Sequence, residues 1–552
     1  MKHCTSWLDV KPVSVSVVGR GLAVTLGLAL IFALGAWLRL DQFADQVLTN
    51  DEWHPFNQAI FSEPGHFMLS FGFSDHSIPL TLMAWVESRT FGLSELAMRW
   101  PMLLAGLLVL VLFPLWAARG LGWPTALAFA FLLAISPILI NYSRYARPYA
   151  LTVLFSYVAL YSFDRYLSRP TGAGRAAAGY VTAAALSVWL HPIIAPFVLA
   201  PFLVAVWTRQ RAVWYRLLRL GLVTGLALAI VVLPPLLADP EALAGKSGLH
   251  RPEWATVVGV WHAWLGTPSP WVVGLCLVLA SAGAPRVWQA GLLPKAAVTG
   301  LALTFLVLWV TRPSWLYHPL ALARYLLPAA PLLLLAVAGG VVAVRDRLLM
   351  VAPSSVTWSA FLLLITPLYH TPLADTMRRP NGNTLHSVFQ DDYRGPSFHD
   401  RYIVREVPLS DWWATLERES SDGRTIAVAP YQMYSPRWDA PRWELLSHHR
   451  AIPAFLAGFC TDAGPGEPPR GDHVTLRNAA HLADPEDLAA KRVGWVVFLK
   501  PFPDVRGKGD MKIGEDKAHC LKAMHQRFGA PVHEDDKIVV FAYPPAFVAQ
   551  PQ

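Results

Sequence analysis

A bundle of about eleven membrane-crossing helices followed by a C-terminal extracytoplasmic α/β domain is the architecture this sequence predicts. Three observations predict it. Apolar segments of roughly 17 to 25 residues, enough to cross about 30 Å of hydrocarbon, recur along the first two thirds of the chain. Lys and Arg collect in every second loop between them. After Tyr369 the apolar runs shorten and alternate with helical patterns. With 54% hydrophobic and 15% charged residues and a mean hydropathy of +0.37, a chain of 552 residues is too apolar to be soluble.

The first apolar segment, residues 15–38, follows Lys2, Lys11 and Arg20. Its core is long, and "WLRLDQF" follows it where a secretory signal would carry a small-residue cleavage site, so it reads as an uncleaved anchor. Further spans are expected at 100–117, 124–140, 149–163, 180–190, 192–207, 220–237, 271–284, 296–310, 325–344 and 349–368. The stretch "SIPLTLMAWVESRTFGL" is also apolar, but Glu87 and Arg89 interrupt it. It reads as an interfacial helix lying on the membrane, because counting it as a span would reverse the basic loops.

A cytoplasmic N-terminus places Arg119, then Arg165, Arg169 and Arg175, then Arg209, Arg211, Arg216 and Arg219, then Arg286 and Lys295, then Arg345 and Arg347 in cytoplasmic loops. The outer face then receives a first loop at about 41–99, the lip "NYSRYARPYAL", His191, the loop 239–262, "TRPSWLYHPLALARY" and everything after Tyr369. Two units follow, a transmembrane unit over residues 1–368 and an extracytoplasmic soluble unit over residues 369–552. In the second, "TIAVAP", "GWVVFLK" and "KIVVFAY" alternate with "DPEDLAAKR" and "HCLKAMHQRFG", the rhythm of a βαβ sheet. The first unit holds 24 Lys+Arg against 14 Asp+Glu and the second 22 against 24, so the net +8 follows from topology and gives no reason to expect nucleic acid.

Cys4 falls in the cytoplasm, Cys276 in a span, and Cys460 and Cys520 outside, where an oxidising compartment permits a disulfide without requiring one. His54, His76, His191, His262 and His318 are scattered with no zinc-ligand spacing; no cofactor is called for, and whether a metal takes part is left open by the sequence. The chemistry is sought in the first outer loop, where "LTNDEWHPF" sets Asp51 beside Glu52 and "FSDHSIPL" offers Asp75 and His76. The lip brings Arg144 and Arg147 to the same face. Carboxylates and arginines converging at a membrane surface suit a reaction that activates a hydroxyl and stabilises a departing phosphate. Arginines snorkelling to lipid headgroups within a tyrosine belt would leave the same trace in the sequence.

The acidic pair, the "DHSIPL" segment, "YSRYARPYAL" and "ARYLLPAAPLLLLA", in that order on one face, resemble the GT-C superfamily of polytopic glycosyltransferases. The nearest groups are the bacterial relatives of the protein O-mannosyltransferases and of the lipid A aminoarabinose transferases. The string "DHSIPL" departs from the acidic-His-Pro-Pro-Leu run often found in those relatives. The resemblance implies a GT-C fold in a bacterial inner membrane with its C-terminal domain periplasmic. It implies a polyprenyl-phosphate-sugar donor and a glycan, lipid or protein acceptor, with inversion at the anomeric carbon. Asp51 would be the general base, and Arg144, Arg147, Arg324 and His76 would meet the leaving phosphate. Glu52 and Asp75 would position acceptor or basic residues, with Tyr149, His191 and Tyr325 lining the site. A transporter or flippase of lipid-linked sugars and a membrane-anchored polysaccharide-binding scaffold are the competing classes.

Overall fold

The computed structural model describes residues 17–41, 43–45, 47–48, 50–72, 77–168, 172–208, 213–244, 251–267, 269–313, 316–317, 319–350, 358–360, 362–364, 410–416, 423–429, 440–461, 474–500 and 516–543. Helix α1 (Val17–Leu40) leads into the first loop, which holds a 3-10 turn (Asn50–Glu52), α2 (Trp53–Phe61), α3 (Pro64–Phe67) and α4 (Ile78–Thr90). The bundle continues with α5 (Glu95–Leu121), α6 (Trp123–Ile135), α7 (Pro137–Ser143), α8 (Tyr149–Ser168), α9 (Ala173–Leu190), α10 (Ala195–Thr208) and α11 (Trp214–Ala238). It closes with α12 (Glu241–Ala244), α13 (Trp254–Leu265), α14 (Pro270–Gln289), α15 (Leu292–Thr311), α16 (Pro319–Tyr325) and α17 (Ala329–Leu349).

Among the described residues five helices are long and apolar enough to cross a membrane, or seven if each bent pair is one span. The chain is therefore a multi-pass membrane protein. Fewer helices meet that criterion than the eleven spans expected: α8, α9 and α10 occupy expected positions without passing it, and most of the last expected span lies outside the described residues. Helix α4, at 13 residues, is too short to cross.

Two helix pairs are sharply bent at short breaks, and the breaks explain much of the bundle's polar wiring. The pair α6 and α7 bends by 62°, and α16 and α17 by 85°. Pro137 has no N–H to offer the carbonyl of Leu133 four residues earlier. Arg39, fully buried on α1, fills the gap: its Nη2 donates to Leu133 O at 3.2 Å and its Nη1 to Ala134 O at 3.1 Å. At the second break Pro328 likewise withholds an N–H from Arg324 O, which accepts from Leu327 N instead. Tyr157 Oη donates to Pro328 O at 2.8 Å and Trp264 Nε1 to Ala323 O at 3.1 Å. Elsewhere α14 and α17 pack backbone to backbone, since a Cβ at Gly283 would collide with Ala336 O and Gly340 N.

The residues after 423 build a six-stranded sheet from β1 (Thr425–Ala429), β2 (Arg450–Phe455), β3 (Ala480–His481), β4 (Val493–Leu499), β5 (His533–Glu534) and β6 (Ile538–Ala542), in the order β3-β2-β1-β4-β6-β5. β3, β2, β1 and β4 run parallel, β6 runs antiparallel to β4, and β5 antiparallel to β6. β1 is buried along its whole length and β4 over all but its last residue, which is why their sequences read as unbroken apolar runs. A disulfide joins Cys460 to Cys520 on the helix Asp516–Phe528, closing a ring over 60 positions. The boundary expected near Tyr369 lies outside the described residues.

Reduction should loosen this sheet. By chain entropy a ring of that size stabilises by about 4 kcal/mol, so dithiothreitol or Cys460→Ser should lower its unfolding midpoint while leaving the helical transition in place, as read by limited proteolysis on a temperature ramp. A second expectation concerns Glu87, buried on α4. Burial raises its pKa from 4.5 to about 7, against a hydrogen bond from Trp100 that lowers it. The folded protein therefore holds an extra proton between those values, and stability should fall as pH rises from about 4.5 through 7. Thermal unfolding in detergent should show that loss in the wild type and a flatter profile in Glu87→Gln.

Candidate functional site

The site forms where both bent helix pairs meet the turn Asn50–Glu52. Between α7 and α8 the residues from Arg144 to Pro148 leave the helix, and Arg147 reaches that turn, its Nη1 3.5 Å from Asp51 O. Glu52 locks the two together. Its Oε1 accepts from Arg99 Nε at 2.7 Å and from Ala146 N at 2.8 Å, and its Oε2 accepts from Arg99 Nη2 at 2.6 Å. Both side chains are fully buried. A two-pronged guanidinium–carboxylate pair with extra hydrogen bonds can offset the cost of burying its charges.

With Glu52 turned inward, Asp51 faces the opposite side. Its Oδ2 lies 2.6 Å from Arg324 Nη1 and 4.0 Å from Arg147 Nε, and the carboxylate stays 18% exposed. Arg324, at the end of α16, stands over the rings of Tyr149 and Tyr325, 5.7 and 5.6 Å from their centroids. The ring of His191, at the end of α9, lies 5.7 Å from Tyr149 and 5.5 Å from Tyr325. Tyr142 packs edge-on against Tyr149 at 4.8 Å.

Asp51, Arg147, Tyr149, His191, Arg324 and Tyr325, singled out in the sequence, thus come together from separate segments of the chain. Glu52 adjoins them as a buried tether. Arg144 points elsewhere, its Nη1 donating to Leu38 O at 3.2 Å on α1. Asp75 and His76 lie outside the described residues. A lipid-facing tyrosine and arginine belt does not describe the lip, because Tyr142, Tyr145, Tyr149 and Arg147 expose 1%, 7%, 3% and 2% of their surfaces. Among the described residues no group of three or more His, Cys, Asp or Glu could hold a metal ion.

Sequence reasoning missed Arg99 and Tyr142. Arg99 stands at the apolar margin of "MRWPMLL", where a charge ordinarily marks a span's end; its burial depends on Glu52, 47 residues away. Tyr142 was visible within the lip but shares its signature with an interfacial aromatic.

Glu52→Gln should test the tether. It preserves shape but leaves the Arg99 charge uncompensated, so the protein should lose about 3–5 kcal/mol of stability. Asp51→Asn, at a partly exposed position, should cost far less; parallel denaturant titrations of the two variants in detergent provide the comparison.

No protein-family model matches the chain, and no curated protein does. Solved structures do. ArnT from Cupriavidus metallidurans in the apo state is 14% identical, with 97% of this chain aligned to 100% of that one at a TM-score of 0.45. The archaeal oligosaccharyltransferase AglB from Archaeoglobus fulgidus, in complex with an inhibitory peptide and a dolichol-phosphate, is 14% identical over 87% of this chain and 70% of its own, at 0.43. The arabinofuranosyltransferase AftD from Mycobacteria is 14% identical over 94% of this chain and 40% of its own, at 0.42.

Proposed function

We propose that the chain is a membrane glycosyltransferase of GT-C type. It moves a sugar from a polyprenyl-phosphate carrier to an acceptor hydroxyl at the outer face of a bacterial inner membrane, with residues 1–368 catalytic and 369–552 an extracytoplasmic α/β domain. The observation that carries this reading is the partly exposed Asp51 carboxylate flanked by Arg147 and Arg324 at the junction of two bent helix pairs. Irregular backbone at membrane depth belongs where it lines a cavity. A carrier lipid, with its tail in the bilayer and its phosphate at the interface, requires such a place. The Cys460–Cys520 bridge supports an oxidising, extracytoplasmic location for the sheet.

In the proposed reaction the acceptor oxygen attacks the anomeric carbon from the face opposite the phosphate. Its proton passes to Asp51, the bond from carbon to phosphate oxygen breaks, and the electron pair leaves with the carrier phosphate, inverting the centre. Arg147 and Arg324 meet the phosphate charge as it develops. In the structure Arg324 is paired with Asp51, and its Nε has no hydrogen-bond partner among the described residues. An incoming phosphate would draw Arg324 away and leave Asp51 more basic, so the donor prepares the base before the acceptor is used. Arg144 supports the lip from behind through Leu38. Tyr149, His191 and Tyr325 wall the sugar site. The reading needs neither nucleotide nor nucleic acid, and its partners are the lipid-linked donor, a glycan, lipid or protein acceptor, and membrane lipids.

Transfer of labelled sugar from a polyprenyl-phosphate donor, with purified protein in detergent, tests the proposal and separates an enzyme from a flippase or scaffold. Asp51→Asn should lower turnover by roughly 10²-fold or more while carrier-lipid binding survives. Arg147→Ala and Arg324→Ala should weaken carrier binding as well as turnover, and Lys at either position should restore only a fraction, because a point charge replaces a fork. Near-normal turnover in Asp51→Asn would remove it as the base.

A further inference from the structure

The segment between α1 and the Asp51 turn is gripped from two sides. On the bundle side Arg99 Nη2 donates to Val47 O at 2.6 Å, beside its fork to Glu52. On the other side stand residues of the C-terminal sheet region. Asn478 Nδ2 donates to Ala44 O at 2.9 Å, Arg477 pairs with Asp45 at 3.2 Å, and Val47 is fully buried in the sheet's own apolar cluster. Glu95, 3% exposed at the first turn of α5, fixes the sheet end of this grip. Its Oε1 accepts from Asn478 N at 2.8 Å and its Oε2 from Arg477 N at 3.1 Å. One residue pair further out, Thr475 N donates to Leu93 O at 3.0 Å in a parallel bridge between Leu93 and Val474.

A carboxylate that accepts two consecutive backbone N–H groups is spent on position rather than chemistry, and charge-assisted bonds of this kind are about twice as strong as neutral ones. On the bundle side the segment is held at its two ends, by Phe43 N on Leu40 O at 3.0 Å and by Arg99 and Trp53 Nε1 on the carbonyls of Val47 and Leu48 at 2.6 and 3.1 Å. With the sheet docked, Ala44, Asp45 and Val47 are also held, a few residues before Asp51. Near-attack geometry tolerates little displacement of a base. We propose that Glu95 and Asn478 are positioning residues through which the C-terminal sheet holds the first outer loop and so places Asp51. The kinetic half of this inference rests on the proposed glycosyl transfer; the mechanical half does not.

The test uses the full-length protein in detergent or nanodiscs, as wild type, Glu95→Ala, Glu95→Asp and Asn478→Ala. Amide hydrogen exchange is followed on peptides carrying Ala44, Asp45, Val47, Asp51 and Glu52, with β1 and β4 peptides reporting whether the sheet itself stays folded. Exchange in the loop should rise roughly tenfold or more in Glu95→Ala and Asn478→Ala, with β1 and β4 unchanged and Glu95→Asp in between. Turnover should fall through kcat, while binding of polyprenyl phosphate stays near the wild-type value, because Arg147 and Arg324 belong to the bundle. Unchanged loop exchange in both variants would overturn the grip, whatever the enzyme does. Raised exchange with unchanged kcat would overturn the positioning role. If Glu95→Ala disturbs β1 and β4, Asn478→Ala, which removes only a side-chain amide, carries the same test. A wild type that transfers no sugar would count against the proposed function, and the exchange measurement, needing no substrate, would still decide the grip.

Discussion

Backbone groups set free at membrane depth have to be satisfied by the protein itself, and the arrangement of this bundle follows from how that demand is met at two places. Where such a group is buried away from water, each orphaned carbonyl or N–H costs several kcal/mol. Arg39 meets the carbonyls abandoned at Pro137, and Tyr157 and Trp264 meet those around Pro328. In each case the donor comes from a different helix, so a local break is stabilised only if distant helices are in place. The breaks turn the residues after Ser143 and around Arg324 inward, to where the Asp51 turn arrives.

Two adjacent carboxylates illustrate how environment separates roles. Glu52 is fully buried and its oxygens are taken up by Arg99 and a backbone amide. Asp51 keeps partial exposure and meets arginines that a ligand phosphate could claim. The saturated group fixes the turn, and the exchangeable one is the group that the proposed reaction uses as its base. Neither role can be assigned from the dipeptide, because each depends on which arginine the side chain finds.

Several features were legible in the sequence because they have local causes. The apolar lengths marked the helices, the charge interruption marked α4, and the lip drew attention to itself by placing arginines and tyrosines together at the end of an apolar run. Unbroken apolar runs gave β1, β4 and β6, although β6 runs antiparallel to β4 where a βαβ rhythm implied a parallel strand, and the parallel strands β2 and β3 were not read. The breaks were harder: residues 124–140 read as one span because hydropathy is blind to the N–H missing at Pro137, and the same holds at Pro328. Glu52 with Arg99 and Glu95 with Asn478 were invisible, since no periodicity links residues 47 or 383 positions apart. Arg144 and Arg147, close together in one lip, diverge because the chain there is not helical, and only backbone geometry decides which faces Asp51.

The contacts of Glu95 also set an order of events during biogenesis. Its partners Arg477 and Asn478 are made 382 and 383 residues later, after the bundle has been inserted. At a synthesis rate of roughly 5–20 residues per second, that delay is on the order of 20 to 80 seconds. During it the first loop has its tether to Arg99 but not its outer support. A nascent or truncated chain would therefore present the inner half of the site alone, and completing the polypeptide would be the step that finishes the machine.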